Sequence, residues 1–483
     1  MPAAIEDIPG QEGATLVEGL IAQFERDLAN GRFPPGSFMG TRQDLCAAYG
    51  VTSETFFQAS RVLIHRGLAE MRTGNRGGLF ACDHSLDQVA KRMATYLECI
   101  GVDFPEAAPV SRLLQEWCVR AATGNVSVRT ATAIRAIAGE LATCDTFDRG
   151  RLLRSMFQQF ASASGNVVLA LLYRLSTDLM LAVSSDFAVL TYSDVPTETY
   201  VGLAVRLAEA VISADHDEAA FAYQQFRDAL LRRQGSQRAP HARELPMTSF
   251  ADRDIAARDL PERLAVHILR EIRVAGWPVG QKLGNEPDLM QRYGVSRATF
   301  RQALRLLEEY SAIETRRGPK GGVIITQPNP ELISGTALSL LIGRGATLEM
   351  SRPLLVSVLA LGLDFALSMQ EQSATVIADA CRKARLRKGP EGVGLLTSAI
   401  LTQGRVRELD LIVRLLGDLE TGLQPEAGAV DEDYAPILDE LAKAVASGDR
   451  VGGRCAIAEL TQRYGVGRLP MAFAAANDRP NAA

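Results

Sequence analysis

The stretch that decides the fold is Gly280-Gln-Lys-Leu-Gly-Asn-Glu-Pro-Asp-Leu-Met-Gln-Arg-Tyr-Gly-Val-Ser-Arg-Ala-Thr-Phe-Arg-Gln-Ala-Leu304, continued by Arg316-Arg-Gly-Pro-Lys-Gly-Gly-Val323. A similar stretch lies 244 positions earlier, from Gly36-Ser-Phe-Met-Gly-Thr-Arg-Gln-Asp-Leu-Cys-Ala-Ala-Tyr-Gly-Val-Thr-Ser-Glu-Thr-Phe-Phe-Gln-Ala-Ser60 to Arg72-Thr-Gly-Asn-Arg-Gly-Gly-Leu79. The two align without a gap. Solenoid repeats recur every ~20 to 50 residues, so this much longer period predicts that whole domains are duplicated.

The later stretch has the residue pattern of a helix-turn-helix followed by a β-hairpin. Asp288 to Tyr293 has the length of a short helix that ends on Gly294, and Ser296 suits the N-cap of a second helix. Two short helices around a glycine-containing turn make a helix-turn-helix. The alternating residues from Ala312 to Thr326 surround a glycine-rich turn and predict a two-stranded wing.

Polar and basic side chains fall where the second helix and the wing would meet DNA. The first turns of a recognition helix reach base edges in the major groove, where arginine bonds bidentately to guanine. From Ala256 to Thr326 there are twelve Lys and Arg against eight Asp and Glu, a local basic excess that suits phosphate binding. The residues predicted to bind DNA here are Ser296, Arg297, Thr299, Arg301, Gln302, Arg305, Arg316, Arg317, Lys320 and Gly321.

These motifs carry a family resemblance. The run from Gly280 through Gly-Val-Ser-Arg-x-Thr-x-Arg-x-Ala-Leu to Arg-Arg-Gly-x-x-Gly-Gly resembles the winged helix-turn-helix of GntR-family transcription regulators. The helical segment that follows looks like the effector-binding domain of the FadR branch, called FCD. Ser164-Gly-Asn166 matches the usual turn of that branch, and Arg112 and Glu116 match its Arg-x-x-x-Glu spacing. The resemblance implies a bacterial-type, cytoplasmic regulator, a repressor, that binds a double-stranded DNA operator.

The sequence predicts a mainly α fold with two winged helix-turn-helix domains, each followed by an all-α helical-bundle domain. Turn-forming and polar residues between the two halves predict a linker. The predicted segments are a first module (14–82), a first helical domain (85–232), a linker (233–254), a second module (255–327), a second helical domain (330–465) and a flexible tail (466–483).

The first module lacks charges that the second module carries. Ser296-Arg297-Ala298 becomes Thr52-Ser53-Glu54, and Arg301 becomes Phe57. One interpretation is an asymmetric operator with two unlike halves, and the other is a degenerate module kept as a dimerisation scaffold. The residues of this module that could still contact DNA are Arg42, Thr52, Thr55, Gln58, Arg61, Arg72 and Arg76.

The helical domains depart from the metal-binding pattern of the family they resemble. Many FCD domains hold a divalent metal with one Asp and three His, but Leu153 and Phe157 stand where the Asp and the first His would be. The chain has five His, too scattered for three to converge, so the sequence predicts no metal. The resemblance still allows a small organic-acid effector, for which Arg112 and Asn166 are the candidate ligands.

Composition narrows the function classes. The seven Cys form no CxxC pair, which is typical of reduced thiols, and no apolar run reaches the ~18 residues of a membrane span. No catalytic set or cofactor-binding loop stands out, so we expect neither an enzyme nor a cofactor. The leading hypothesis is a sequence-specific transcriptional regulator whose duplicated halves form an intramolecular pseudo-dimer. A protein-interaction regulator that works through a partner remains the alternative, and a further homodimer stays open.

Overall fold

The computed structural model describes residues 16–29, 32–34, 36–65, 68–72, 77–81, 85–143, 149–183, 197–236, 260–309, 312–316, 321–327, 330–369, 371–386, 390–423 and 434–464. Within these residues the chain is mainly α-helical, which confirms the predicted class, and it contains two three-stranded sheets. The residues outside this description include Arg76, Arg317, Lys320, the segment 237–259, residue 465 and the predicted tail (466–483).

The two modules have the same order of elements. In the first module they are α1 (Leu16–Ala29), β1 (Phe38–Gly40), α2 (Arg42–Tyr49), α3 (Ser53–His65), β2 (Ala69–Arg72) and β3 (Gly78–Ala81). In the second module they are α11 (Leu260–Val274), β4 (Lys282–Gly284), α12 (Glu286–Tyr293), α13 (Arg297–Glu309), β5 (Ile313–Arg316) and β6 (Gly322–Ile325). In each sheet the last strand is central and antiparallel to both others.

The cores of the modules use apolar residues at the same helical positions. Phe56 and Leu63 of α3 are buried beneath Phe24 of α1 in the first module. Phe300 and Leu307, 244 positions later, are buried in the second module. Because the apolar residues recur at helical spacing, one face of each second helix is fixed inward and the opposite face is left to solvent.

Among its described residues, the first helical domain has seven helices. They are α4 (Leu86–Cys99), α5 (Phe104–Ala122), α6 (Val128–Thr143), α7 (Arg149–Ala163), α8 (Val167–Val183), α9 (Thr197–Ile212) and α10 (His216–Ser236). Helix α5 begins where the Asp103 side chain accepts a hydrogen bond from the Glu106 backbone N–H at 3.1 Å, a typical N-cap. Helix α10 continues four residues into the segment that the sequence assigns to the linker.

The described part of the second helical domain also forms seven helices. They are α14 (Pro330–Gly343), α15 (Leu348–Met369), α16 (Glu371–Leu386), α17 (Pro390–Gly404), α18 (Arg407–Leu423), α19 (Ala435–Ser447) and α20 (Arg450–Tyr464). Among the described residues one segment, Leu348–Ser368 of α15, is long and apolar enough to cross a membrane. It packs against α16, α17, α18 and α20, so these contacts account for its apolar character.

The chain divides into two compact units whose bounds differ from the predicted domains. The first unit contains the first module and also α14, which the sequence assigns to the second helical domain and which packs against α1. The second unit contains the second module, most of the first helical domain and the helices from α15 onward. Sequence patterns predict where a helix lies along the chain but not which other element it packs against. The sequence of α14 therefore could not predict that it packs against α1.

Within the second unit, a seam joins the two helical domains. Helix α15 packs against α5 and α8, and α18 packs against α5. The Arg407 guanidinium binds the Glu106 carboxylate, with Nη2 and Oε2 2.7 Å apart, and also reaches the carbonyls of Ile100 and Gly101. The Asn166 amide donates to the Met350 carbonyl at 3.0 Å. The Arg407–Glu106 pair joins the start of α18 to the first turn of α5, and the Asn166–Met350 bond joins the start of α8 to the first turn of α15.

Candidate nucleic-acid interface

The helix-turn-helix of the second module is set by its turn residues. Gly294 ends α12 in the left-handed conformation, with φ of 62°, which glycine adopts without the steric cost of a Cβ. Ser296 precedes α13, and its hydroxyl accepts a hydrogen bond from the Thr299 backbone N–H at 3.2 Å. The Thr299 hydroxyl lies 2.9 Å from that of Ser296. These local bonds fix the angle at which α13 leaves the turn.

The exposed face of α13 carries the basic side chains predicted to bind DNA. The Arg297 and Arg301 side chains are 67% and 57% exposed, and Gln302 and Arg305 are also exposed. Phe300 on the opposite face is fully buried, so α13 cannot rotate without exposing its core residues. The structure therefore brings these four side chains together on the solvent face of one helix.

A carboxylate on the neighbouring helix contacts both leading arginines. Glu286 Oε1 accepts from Arg301 Nε at 3.0 Å and from Arg297 Nε at 3.3 Å. Partial burial would raise the Glu286 pKa, but the two arginine hydrogen bonds outweigh it and hold that pKa below its ordinary value. The carboxylate therefore stays ionised at neutral pH and orients the two guanidinium groups. Glu286 was not identified from the sequence. Its only signal in the sequence is that it is an acidic residue at the start of α12, the helix before the arginine-bearing α13.

The wing of the second module is described in part. Strands β5 and β6 pair from Ile313 with Ile325 to Arg316 with Gly322. Arg316 forms an ion pair with Glu314, and its side chain is 64% exposed. Gly321, predicted as a DNA contact, is buried immediately before β6. Arg316 therefore stands at the solvent edge of the wing, where a phosphate could reach it.

The first module presents a different set of side chains on the equivalent helices. Arg42, Thr52, Gln58 and Arg61 are exposed, and Thr55 is half-buried with its backbone N–H bonded to the Thr52 hydroxyl at 3.2 Å. In the wing, the Arg72 guanidinium lies 4.1 Å from the centre of the Phe80 ring and pairs with Glu70.

An aromatic side chain replaces the second arginine on the exposed face of α3. Phe57 is 58% exposed, and the Arg61 guanidinium lies 5.9 Å from the centre of its ring. Sequence reasoning named Phe57 only as a lost arginine. The structure shows that the ring stands on the solvent face of α3 and takes no part in the core.

In each module a tyrosine–carboxylate hydrogen bond joins the first helix of the helix-turn-helix to the helix that begins the module. The Tyr293 hydroxyl donates to Glu271 of α11 at 2.6 Å, and the Tyr49 hydroxyl donates to Asp27 of α1 at 2.5 Å. Burial, followed by the hydrogen bond to the carboxylate, raises the pKa of each tyrosine. These bonds hold the first helix of each helix-turn-helix against the core helix of its module.

The two candidate effector ligands of the first helical domain have different surroundings. Arg112 is partly buried beside Tyr223 and Arg227 of α10, and burial lowers its pKa. Asn166 caps α8 by accepting from the Leu169 backbone N–H at 3.0 Å, and its amide reaches Met350 in the seam. That Arg112 and Asn166 bind an effector stays a prediction.

An aromatic cluster fills the interior of the first helical domain. Phe157, which stands where the resembled family places a metal-binding His, is 2% exposed. Its ring centre lies 5.4 to 6.4 Å from those of Phe160, Tyr173, Tyr223 and Phe226. Among the described residues no group of three or more His, Cys, Asp or Glu could hold a metal ion. The prediction that the chain binds no metal stays a prediction.

Comparison with known proteins assigns the second module. Residues 260–323 match the sequence model of the gntR family of bacterial regulatory proteins. The chain is 34% identical over 87 residues to the HTH-type transcriptional regulator RmpR of Mycobacterium gastri, a match that spans 18% of this chain and 32% of that protein. The chain thus spans about a third of the length of this curated relative.

The chain also has weak similarity to solved structures, two of which follow. Streptococcus agalactiae GntR is 14% identical and covers 46% of this chain and 100% of its own, with a TM-score of 0.32. E. coli McbR/YncC is 11% identical and covers 46% of this chain and 99% of its own, with a TM-score of 0.22. TM-scores this low do not establish a shared fold. The family match and the geometry of α12 and α13 identify residues 260–323 as a DNA-binding helix-turn-helix domain of the gntR family of bacterial regulatory proteins.

Proposed function

We propose that the whole chain is a sequence-specific DNA-binding transcriptional regulator of the GntR type that acts in the cytoplasm as a repressor. The observation that carries this proposal is the exposed row of Arg297, Arg301 and Arg305 on α13, with Glu286 orienting the first two. A row of arginines at the solvent face of a second helix matches the way such helices read guanine in the major groove. The repressor role rests on the family resemblance.

We further propose that the chain is a tandem duplication whose halves act as an intramolecular pseudo-dimer. Helix-turn-helix proteins read two half-sites as dimers, and fusion gives the second half a high effective concentration. The shared element order of the modules supports this proposal, as do the two similar contacts of the seam. In one, Arg407 at the start of α18 meets Glu106, the third residue of α5. In the other, Asn166 before α8 meets Met350, the third residue of α15.

Effector binding by the helical domains rests on their resemblance to FCD domains. An organic-acid ligand would need a cavity with a cation inside it, but the rings around Phe157 occupy the centre of the first helical domain. We therefore confine the proposed function to DNA binding and regulation.

Binding of the full chain to its own promoter fragment tests the proposal. The double variant Arg297→Ala/Arg301→Ala should weaken specific binding at least ~30-fold, since each good arginine–guanine contact contributes ~1 to 3 kcal/mol. The matched control is Arg382→Ala/Arg463→Ala, which removes the same charge from helices of the second helical domain, at side chains 67% and 54% exposed. The control should bind almost as wild type does.

The salt dependence separates the proposal from its alternative. A DNA-binding regulator shows a steep fall of affinity with salt concentration and a preference for its promoter over random DNA. If the wild-type chain shows no such preference and both double variants behave alike, the proposal fails. A protein-interaction role through a partner regulator then replaces it.

A further inference from the structure

Three corresponding positions on the two helices of the helix-turn-helix carry different charges in the two modules. In the second module Glu286 on α12 faces Arg297 and Arg301 on α13. The residues 244 positions earlier are Arg42, Ser53 and Phe57. Each set has one net positive charge, but in the first module the cation has moved from the recognition helix to the helix before it.

The exchange keeps the first module compatible with a phosphate backbone. Loss of the two arginines alone would have left a bare carboxylate at position 42, facing any bound DNA. Arg42 stands there instead, exposed, and the part of the chain that the structure describes gives it no ion-pair partner. Since Arg42 is the first residue of α2, it sits at the positive end of the helix dipole, where a cation weakens the helix. Helix stability therefore does not explain this arginine, whereas an anionic partner does.

The solvent face of α3 offers groups that suit other bases. Phe57 is 58% exposed on the turn that corresponds to Arg301, and an apolar ring contacts the methyl group of thymine. Glu54 is exposed in the first turn of α3, and a carboxylate accepts a hydrogen bond from the amino group of cytosine. Arg61, in the position of Arg305, keeps a cation one turn further along.

Building on the proposed function, we propose that the first module reads a half-site of its own, recognising pyrimidines rather than guanine. Phe57 contacts a thymine methyl group, Glu54 accepts from a cytosine amino group, and Arg42 and Arg61 bind phosphates. The operator of this chain is therefore an asymmetric double-stranded DNA in which one half is read by arginines and the other by Phe57 and Glu54.

Selection of DNA from a random duplex library by the purified full chain tests this inference. Wild type should enrich two unlike half-sites. Phe57→Ala and Glu54→Ala should each lose preference at one position of one half, by about 5- to 150-fold, as for a single mismatched base pair. The other half should keep its sequence with both variants. Arg382→Ala/Arg463→Ala should select the same DNA as wild type.

A graft provides a gain of specificity that loss of folding cannot mimic. The triple variant Arg42→Glu/Ser53→Arg/Phe57→Arg rebuilds the charge set of the second module on exposed positions of the first. It should enrich an operator whose two halves resemble each other. Its circular dichroism should match that of wild type, because no buried residue changes.

The possible outcomes separate this inference from the proposed function. If wild type enriches a single half-site and the Phe57, Glu54 and graft variants leave it unchanged, the first module is a scaffold and the inference is overturned while the proposed function stands. If wild type enriches no sequence at all, the proposed function itself is overturned. If the graft turns the unlike half into a copy of the other, both are supported.

Discussion

Replacing either of two buried glutamates on α18 by methionine should change the free energy of unfolding in opposite directions. Glu408 is fully buried, and neither of its carboxyl oxygens has a hydrogen-bond partner among the described residues. Burial raises its pKa well above the ordinary value, and the nearby Glu106 raises it further. The Ser176 hydroxyl lowers that pKa without meeting hydrogen-bond geometry. Glu420, on the same helix and 6% exposed, accepts from Arg352 Nε at 3.0 Å.

The expected change at Glu408 is stabilising. A buried polar group without partners costs about 1 to 3 kcal/mol, so Glu408→Met should raise the free energy of unfolding by about that amount at pH 5. Glu420→Met should instead lower it by about 1 to 3 kcal/mol, because Arg352 loses its partner. Arg352 is 31% exposed, so water screens part of that loss and the low end of the range applies.

The pH dependence follows from the direction of the Glu408 pKa shift. A raised folded-state pKa means that the folded chain holds a proton that the unfolded chain releases above about pH 4.3. The free energy of unfolding is therefore highest below that pH. It falls as the pH rises toward the folded-state pKa of Glu408, by at most about 1.4 kcal/mol per pH unit. Glu408→Gln should remove this slope. Glu98, whose pKa burial raises to about 7, adds a slope of the same sign that every variant keeps.

Urea unfolding followed by tryptophan fluorescence measures these effects, because both tryptophans, Trp117 and Trp277, lie in the same unit as α18. Midpoints should be compared at pH 5, 6 and 7 for wild type, Glu408→Met, Glu408→Gln and Glu420→Met. The reasoning is refuted if Glu408→Met is no more stable than wild type at pH 7 and Glu408→Gln retains the full wild-type slope.

Three further predictions concern the modules and the seam. Tyr293→Phe and Tyr49→Phe should each lower the free energy of unfolding by about 1 to 2 kcal/mol, because each removes a hydroxyl that donates to a carboxylate. An unchanged melting temperature would contradict this. Glu286→Gln should narrow the ratio of specific to random DNA binding in a competition assay, because the arginines lose their orientation; an unchanged ratio refutes the orienting role. Arg407→Ala should lower the free energy of unfolding by about 2 kcal/mol, the low end for a buried charge pair, because the Arg407 side chain is 23% exposed. A double-mutant cycle with Glu106→Gln that shows no coupling would contradict the seam contact.

Local pattern predicted the elements of both modules because their signals lie within a few residues of one another. Gly294 and Ser296 define the turn, and Phe300 with Leu307 defines the buried face, so the sequence alone was enough to place α12 and α13. The same reasoning placed Arg297 and Arg301 on the solvent face, where the structure has them.

Contacts between distant residues could not be predicted in this way. Glu286 and Arg301 are on different helices, and the partners Arg407 and Glu106 are separated by 301 positions. Asn166 was assigned to an effector on the strength of a family turn, but its amide meets a carbonyl 184 positions away. The residue spacing within one segment does not show which distant residue a side chain will contact. Covariation between positions could show it, but a single sequence carries no covariation.

The interior of the first helical domain holds aromatic rings at a position where the resembled family has a metal-binding His. An imidazole at position 157 would present a ring nitrogen to a metal, whereas Phe157 presents only carbon, and four other rings surround it within 6.4 Å. Aromatic pairs at these distances contribute about 0.5 to 1.5 kcal/mol each beyond their buried area, so ring packing stabilises this interior. Asn166, at the turn beside this interior, is bonded across the seam. A residue that the family resemblance assigns to an effector thus joins the two helical domains in this structure.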